Sequence, residues 1–195
     1  MTRFVDPYLD PETGILRNLA AAKTYEALYQ AEADSAMYGE LEARDIPRTN
    51  NLEELCAIHK ALFGAVYDWA GEIRTVDIRK NEVNSDFFLI VSRIPTGCEY
   101  VFNELKQNNY LQNLNRVDFI TKLAYFYDQL NYIHPFREGN GRTQRIFWSR
   151  VAKDAGYQID WSKTTREEND AASKLAAESQ NLSLLNELIQ KILLP

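Results

Sequence analysis

A chain of 195 residues suits one domain and is long enough to bury a core without disulfide or metal staples. Its 45% hydrophobic and 26% charged content is ordinary for a soluble globular protein, and a net charge of −6 leaves it without an overall electrostatic footprint for nucleic acid. The N-terminus has no apolar core of signal-peptide length and no run approaches a membrane span. A cytoplasmic protein that binds neither membrane nor nucleic acid is therefore expected, with export lacking a cleaved signal left open.

The opening, 6–14, holds two prolines and a glycine and reads as an irregular arm. A first helix is expected over 18–42 from its Ala, Leu, Tyr and Glu content and its lack of proline, weakened near the end by Gly39. A second is expected over 51–63, where Leu52, Leu55, Ile58 and Leu62 repeat at helical spacing after a cap at Asn50 or Asn51. His59 lies beside that stripe, far in sequence from any carboxylate cluster, and reads as structural. Cys56 and Cys98 have no metal-ligand spacing and read as reduced, partly buried thiols. The stretch 75–79 alternates apolar and polar as a short strand does; after polar residues, Phe87, Phe88, Leu89 and Ile90 complete one hairpin-like segment. Two strands alone are marginal in water, so this pair must lean on helices. Further helices are expected over 96–108, 118–133, 143–155, 165–179 and 182–194, Pro135 closing the second of these and Gly156 the third. The chain is thus mainly α, a single domain over 1–195 with one small hairpin.

The segment His134-Pro135-Phe136-Arg137-Glu138-Gly139-Asn140-Gly141-Arg142-Thr143-Gln144-Arg145 carries the chemistry. One helix ends, a loop punctuated by Gly139 and Gly141 turns, and another begins. The glycines permit positive φ and close backbone approach to a ligand. A helix start presents free N–H groups and the positive end of its dipole, a ready site for phosphate. Arg142 and Arg145 share one face near that start, where the dipole disfavours cations, so something anionic should compensate them. Glu138 beside a phosphate site calls for a cation between them, and Mg²⁺ takes one or two carboxylates plus substrate phosphates. His134, with an ordinary pKa of about 6.5, can accept a proton near neutral pH. Base, metal ligand, anion nest and two arginines together make a phosphoryl-group site.

This line resembles the signature of the Fic family, His-x-Phe-x-(Asp/Glu)-Gly-Asn-Gly-Arg-x-x-Arg, and matches every fixed position. The stretch 67–78 resembles the family's Trp-Ala-Gly segment leading into a β-hairpin flap, and Asp6-Pro7-Tyr8 with 14–18 resembles the N-terminal arm of Fic toxins. The resemblance implies a Fic-type helical bundle with an arm over 1–17, a flap region over 74–90 and an active-site loop and helix start over 134–145. It implies transfer of AMP from ATP to a Tyr, Ser or Thr hydroxyl of a target protein, with release of pyrophosphate. His134 would be the base, Glu138 the Mg²⁺ ligand, and Gly139, Asn140, Gly141, Arg142 and Arg145 the binders of phosphate. Phe136 would be an anchor into the core. The flap, with Val76, Asp77, Ile78, Arg79 and Lys80, would dock the target's main chain by strand addition.

The resemblance also implies control. Fic enzymes are commonly held off by a helix of pattern (Ser/Thr)-x-x-x-Glu-(Gly/Asn) whose Glu reaches the second arginine. The one literal match, 164–169 with Glu168, also reads as a plain capping box. The expectation is therefore a bacterial toxin restrained by a small helical antitoxin whose glutamate reaches Arg145. The alternatives are a Fic domain from a longer secreted effector, a non-catalytic binder, a nucleotide hydrolase, or a kinase-like relative. The last carries Lys where this chain has Gly141.

Overall fold

The computed structural model describes residues 6–79 and 88–195. Among these it has seven α-helices: α1 Tyr25–Glu42, α2 Leu52–Phe63, α3 Ile94–Gln107, α4 Arg116–Ile133, α5 Asn140–Asp154, α6 Arg166–Ser179 and α7 Ser183–Ile192. Each start has a local cause. Asn51, Asn115 and Thr165 accept N–H bonds from the third residue on, and Thr165 with Glu168 forms a full capping box. α1 begins seven residues later than the composition of 18–42 suggests. The Asn18 side chain takes the Ala22 N–H at 2.8 Å and donates to the Leu16 and Ala22 carbonyls, closing a turn that competes with helix; Thr24 then caps. α5 begins at Asn140 rather than 143, so Arg142 lies in its first turn and Arg145 in its second.

The inward faces of α2, α3, α4 and α5 meet in one core containing Ile58, Leu62, Cys98, Phe126, Phe147 and Trp148, each 0% exposed. Truncating one such aliphatic residue to alanine costs about 2–5 kcal/mol. α1 lies along α2, and α6 and α7 pack on each other and against α4. Gly39 has a positive use: a Cβ there would run into the Ala61 carbonyl, so the glycine lets the backbones of α1 and α2 touch. Both cysteines are free, and burial pushes the Cys56 thiol up to about 11 and the Cys98 thiol to about 12. No helix among the described residues is long and apolar enough to cross a membrane.

The expected β-hairpin is not found as a sheet among the described residues, although isolated bridges join Leu9 to Leu16 and Ile159 to Leu193 and Arg79 also stands in a bridge position. The alternation itself persists: Val76 and Ile78 turn inward while Asp77 and Arg79 are exposed. Side chains take bonding capacity that a ladder would use. The Val76 carbonyl accepts from Arg74 Nη1 at 2.8 Å, and the Val91 N–H donates to Asp77 Oδ1 at 2.8 Å. Among the described residues, a main-chain bond from the Phe88 N–H to the Ile78 carbonyl at 3.1 Å joins the two flanks. Lys80 and Phe87 lie outside the described residues.

Candidate active site

α4 ends at His134, whose left-handed backbone (φ 49) turns the chain into Pro135. The His134 Nδ1 lies 3.1 Å from the Asn131 carbonyl, which accepts only a proton-bearing nitrogen. Nε2 is thereby left as the ring's acceptor. The Phe88 ring stacks on the imidazole at 3.7 Å and 12°. Beneath the turn is Arg74, 1% exposed. It donates from Nε to the His134 carbonyl at 2.9 Å, from Nη2 to the Leu89 carbonyl, and more distantly to the Ile133 carbonyl at 3.4 Å. Its main-chain N–H meets the Pro135 carbonyl at 2.8 Å.

The loop after Pro135 is pinned from below. Phe136 is fully buried, as its anchor role requires, and stacks on His59 at 3.9 Å and 17°. His59 accepts the Gly71 N–H at Nδ1 (2.7 Å) and so donates from Nε2 to the Glu138 carbonyl at 3.0 Å. Burial lowers its pKa to about 4; the Glu138 bond opposes this and the Arg142 charge adds to it. His59 is structural, as its sequence context suggests, but what it supports is the site loop. Asn140 braces the same loop: its Oδ1 accepts the Phe136 N–H at 2.9 Å and its Nδ2 donates to the Phe136 carbonyl at 2.7 Å. The side chain expected at phosphate oxygens is thus turned into the loop, because two main-chain groups need it there.

Gly139 has φ 78, and a Cβ would strike the Phe63 ring. Gly141, which was free to take a positive φ as well, is helical, and nothing lies within 4 Å of where its Cβ would be. It leaves open space over the start of α5. The first α5 N–H with a backbone acceptor is that of Thr143, bonded to the Gly139 carbonyl at 3.1 Å, so the N–H groups of Asn140, Gly141 and Arg142 have no partner within the helix.

Arg142 Nη2 lies 2.5 Å from Glu32 Oε2 and 3.8 Å from Glu138 Oε1, with the guanidinium 4.6 Å over the Phe63 ring. Arg145 donates from Nε to the Gly141 carbonyl at 3.1 Å. Both arginines border a cavity of about 490 Å³ that Arg44, Arg150, Lys153, Glu40 and Trp161 also line. Arg150 is engaged by Glu54 at 2.6 Å, so Arg44, Arg145 and Lys153 supply much of its positive field. Glu138 has a half-exposed side chain and accepts the Gly139 N–H at 2.9 Å. No cluster of three or more possible metal ligands exists among the described residues. The arm reaches the site through Asp6, which pairs with Arg137 at 2.9 Å, and Tyr8, whose hydroxyl accepts the Thr75 N–H at 3.0 Å.

Sequence reasoning missed Glu32, Tyr67 and Arg74. Glu32 carried a signal, a carboxylate among the inward positions Leu28, Ala36 and Gly39 of α1, but its partner lies 110 residues away.

A Fic/DOC family model matches residues 49–152. The protein adenylyltransferase VbhT of Bartonella schoenbuchensis is 38% identical over 188 residues, a match covering 95% of this chain and 38% of VbhT. This chain thus spans little more than a third of that relative. A probable protein adenylyltransferase Fic of Salmonella typhimurium is 32% identical over 186 residues, covering 95% of this chain and 91% of that protein. The crystal structure of BepC from Bartonella tribocorum with bound AMPPNP superposes with a TM-score of 0.89 at 25% identity, covering 96% of each chain. With the signature folded as a helix–loop–helix over a buried anchor, and with these matches, the chain belongs to the Fic/DOC family.

Proposed function

We propose that the protein transfers AMP from ATP to a Tyr, Ser or Thr hydroxyl of a target protein. The observation that carries this is the contact of His134 Nδ1 with the Asn131 carbonyl at 3.1 Å, which leaves Nε2 as the ring's acceptor in the loop that leads into α5. His134 Nε2 takes the proton of the target hydroxyl as the hydroxyl oxygen bonds to the α-phosphorus. The bond from that phosphorus to the bridging oxygen breaks, and pyrophosphate leaves with the electron pair. The N–H groups at Asn140 and Gly141 and the guanidinium groups of Arg142 and Arg145 receive the phosphate oxygens and the charge that builds on the leaving group, while Gly139, whose N–H is held by Glu138, shapes the turn that brings them together. Adenylyltransferase names among the relatives support this choice over a hydrolase or a non-catalytic binder, and AMPPNP in BepC supports an adenine nucleotide as the substrate.

The donor set fits Mg²⁺ arriving with the nucleotide, since Glu138 is a single half-exposed carboxylate and phosphates would have to complete the shell. When bound, the ion neutralises phosphate charge. The target docks its main chain along Val76 to Lys80. For control, Glu168 is a poor internal inhibitor, because Lys191 holds it at 2.7 and 2.8 Å and it caps the Thr165 N–H at 3.1 Å. Lys191 first, then the Thr165 N–H, keep its carboxyl near 2. A separate small helical antitoxin that directs a glutamate to Arg145 is the proposed restraint, and the bacterial cytoplasm the proposed setting.

The test is incubation with α-labelled ATP and bacterial lysate, followed by mass spectrometry of the labelled band. A gain equal to AMP on a hydroxyl side chain supports the reading. ATP consumed by the purified protein without an adduct would make it a hydrolase, and a band labelled by γ-labelled but not α-labelled ATP, with a phosphate-sized gain, would make it a kinase.

A further inference from the structure

We propose that Glu32 is a positioning residue for Arg142: its carboxylate sets the guanidinium in the attitude from which it meets the nucleotide's phosphates. This rests on the reading that the start of α5 receives those phosphates.

Glu32 breaks the pattern of its helix. The other inward residues of α1 are Leu28, Ala36 and Gly39, yet the Glu32 side chain is only 8% exposed. A carboxylate taken out of water is costly unless it is paired and hydrogen-bonded. Both oxygens are engaged: Oε2 with Arg142 Nη2 at 2.5 Å, and Oε1 with the Tyr67 hydroxyl. Burial, then the bond to Glu32, pushes the Tyr67 hydroxyl well above the ordinary phenol range, so it stays a donor. The Tyr67 ring is in turn stacked on Trp69 at 4.2 Å and 20°. A chain of contacts therefore runs from a fixed aromatic pair through Glu32 to Arg142.

The pair is oddly placed for a purely structural bridge. Arg142 is in the first turn of α5, where the helix dipole disfavours a cation. If Arg142 left, Glu32 would keep Tyr67 alone as a side-chain partner among the described residues, so the guanidinium is tethered. Arginine has five N–H donors in a rigid fork, and a contact to one Nη2 hydrogen leaves the others for an anion. Glu32 also offsets the positive charge of Arg142. That trades ground-state attraction for fixed direction, and a donor aimed at charge developing on the leaving group favours turnover over binding.

The experiment compares Glu32→Gln, Tyr67→Phe, Arg142→Ala and the Glu32→Gln/Arg142→Ala double variant. Calorimetry gives the AMPPNP dissociation constant, and labelling of lysate with α-labelled ATP gives the rate at saturating ATP. Glu32→Gln should lower that rate about tenfold or more while the dissociation constant moves less than about threefold. Tyr67→Phe, which keeps the ring and removes only the hydroxyl, should act in the same direction by about threefold, and it serves if Glu32→Gln folds poorly. Added to Arg142→Ala, Glu32→Gln should cost nothing more, because it acts through the arginine. Three results overturn the proposal: an unchanged rate in both milder variants, losses that multiply in the double variant, or rate and affinity falling together with the melting temperature. If Arg142→Ala removes labelling while Glu32→Gln is silent, only this proposal fails. If Arg142→Ala is itself silent, the phosphate-site reading fails with it.

Discussion

Acid should loosen this fold through His59 in particular. Its imidazole is neutral in the folded chain, with Nδ1 accepting from Gly71 and Nε2 donating to Glu138. Protonating Nδ1 would put two donors face to face in a site that is 0% exposed. The folded pKa of about 4 lies below the unfolded value of ~6.5, so the group binds its proton more readily in the unfolded chain. Its stabilisation is fully present above ~6.5 and is lost as pH falls from there toward about 4. A gap of about 2.5 pH units corresponds to about 3 kcal/mol, of which roughly 2.5 kcal/mol is gone by about pH 4.5. Urea unfolding at about pH 7.5 and about pH 4.5 measures this when wild type is set beside His59→Gln. The variant starts lower by about 1–3 kcal/mol, since Gly71 loses its acceptor, but it should lack the His59 share of the pH dependence. Carboxylates titrating in the same window affect both proteins alike. Equal pH slopes in the two would refute the argument.

His134→Ala should lower AMP transfer by about 10²–10⁴ with AMPPNP affinity and melting temperature nearly unchanged, because the base acts on the target hydroxyl; undiminished labelling would remove it from that role. Glu138→Gln should weaken the Mg²⁺ dependence of transfer and be partly rescued by added Mg²⁺, as a titration of rate against metal would reveal. Arg79→Pro removes a main-chain donor from the docking segment, so target labelling should fall while calorimetric AMPPNP binding persists; equal loss of both would make the segment structural only.

What could be read in advance was what is written locally. α2 and α6 carry their own caps, Asn51 and Thr165 with Glu168, and both start where the sequence says. The signature is contiguous, so the turn at His134 and the buried Phe136 were legible, although the helix itself begins at Asn140 and not at 143. α1 was drawn too long because helix-forming composition does not reveal that the Asn18 side chain prefers Ala22. The alternation of 75–79 was real, but it could not disclose that Arg74 would occupy the Val76 carbonyl. Glu32 and Arg74 meet the signature across 110 and 60 residues, and no periodicity encodes such a meeting. Their types hinted at it, each being a charged residue where the neighbours face inward.

Arg74 has a further consequence for anyone reading a mutational scan of this chain. One guanidinium joins the carbonyl behind the base to the carbonyl of Leu89, beyond the proposed docking segment. Lysine offers a point charge with no planar fork and cannot reproduce both reaches, so even that exchange is not conservative. A variant at Arg74 would disturb the orientation of His134 and the anchoring of Leu89 at once. Its phenotype would therefore combine a turnover defect with a recognition defect, and epistasis with either region would be unavoidable.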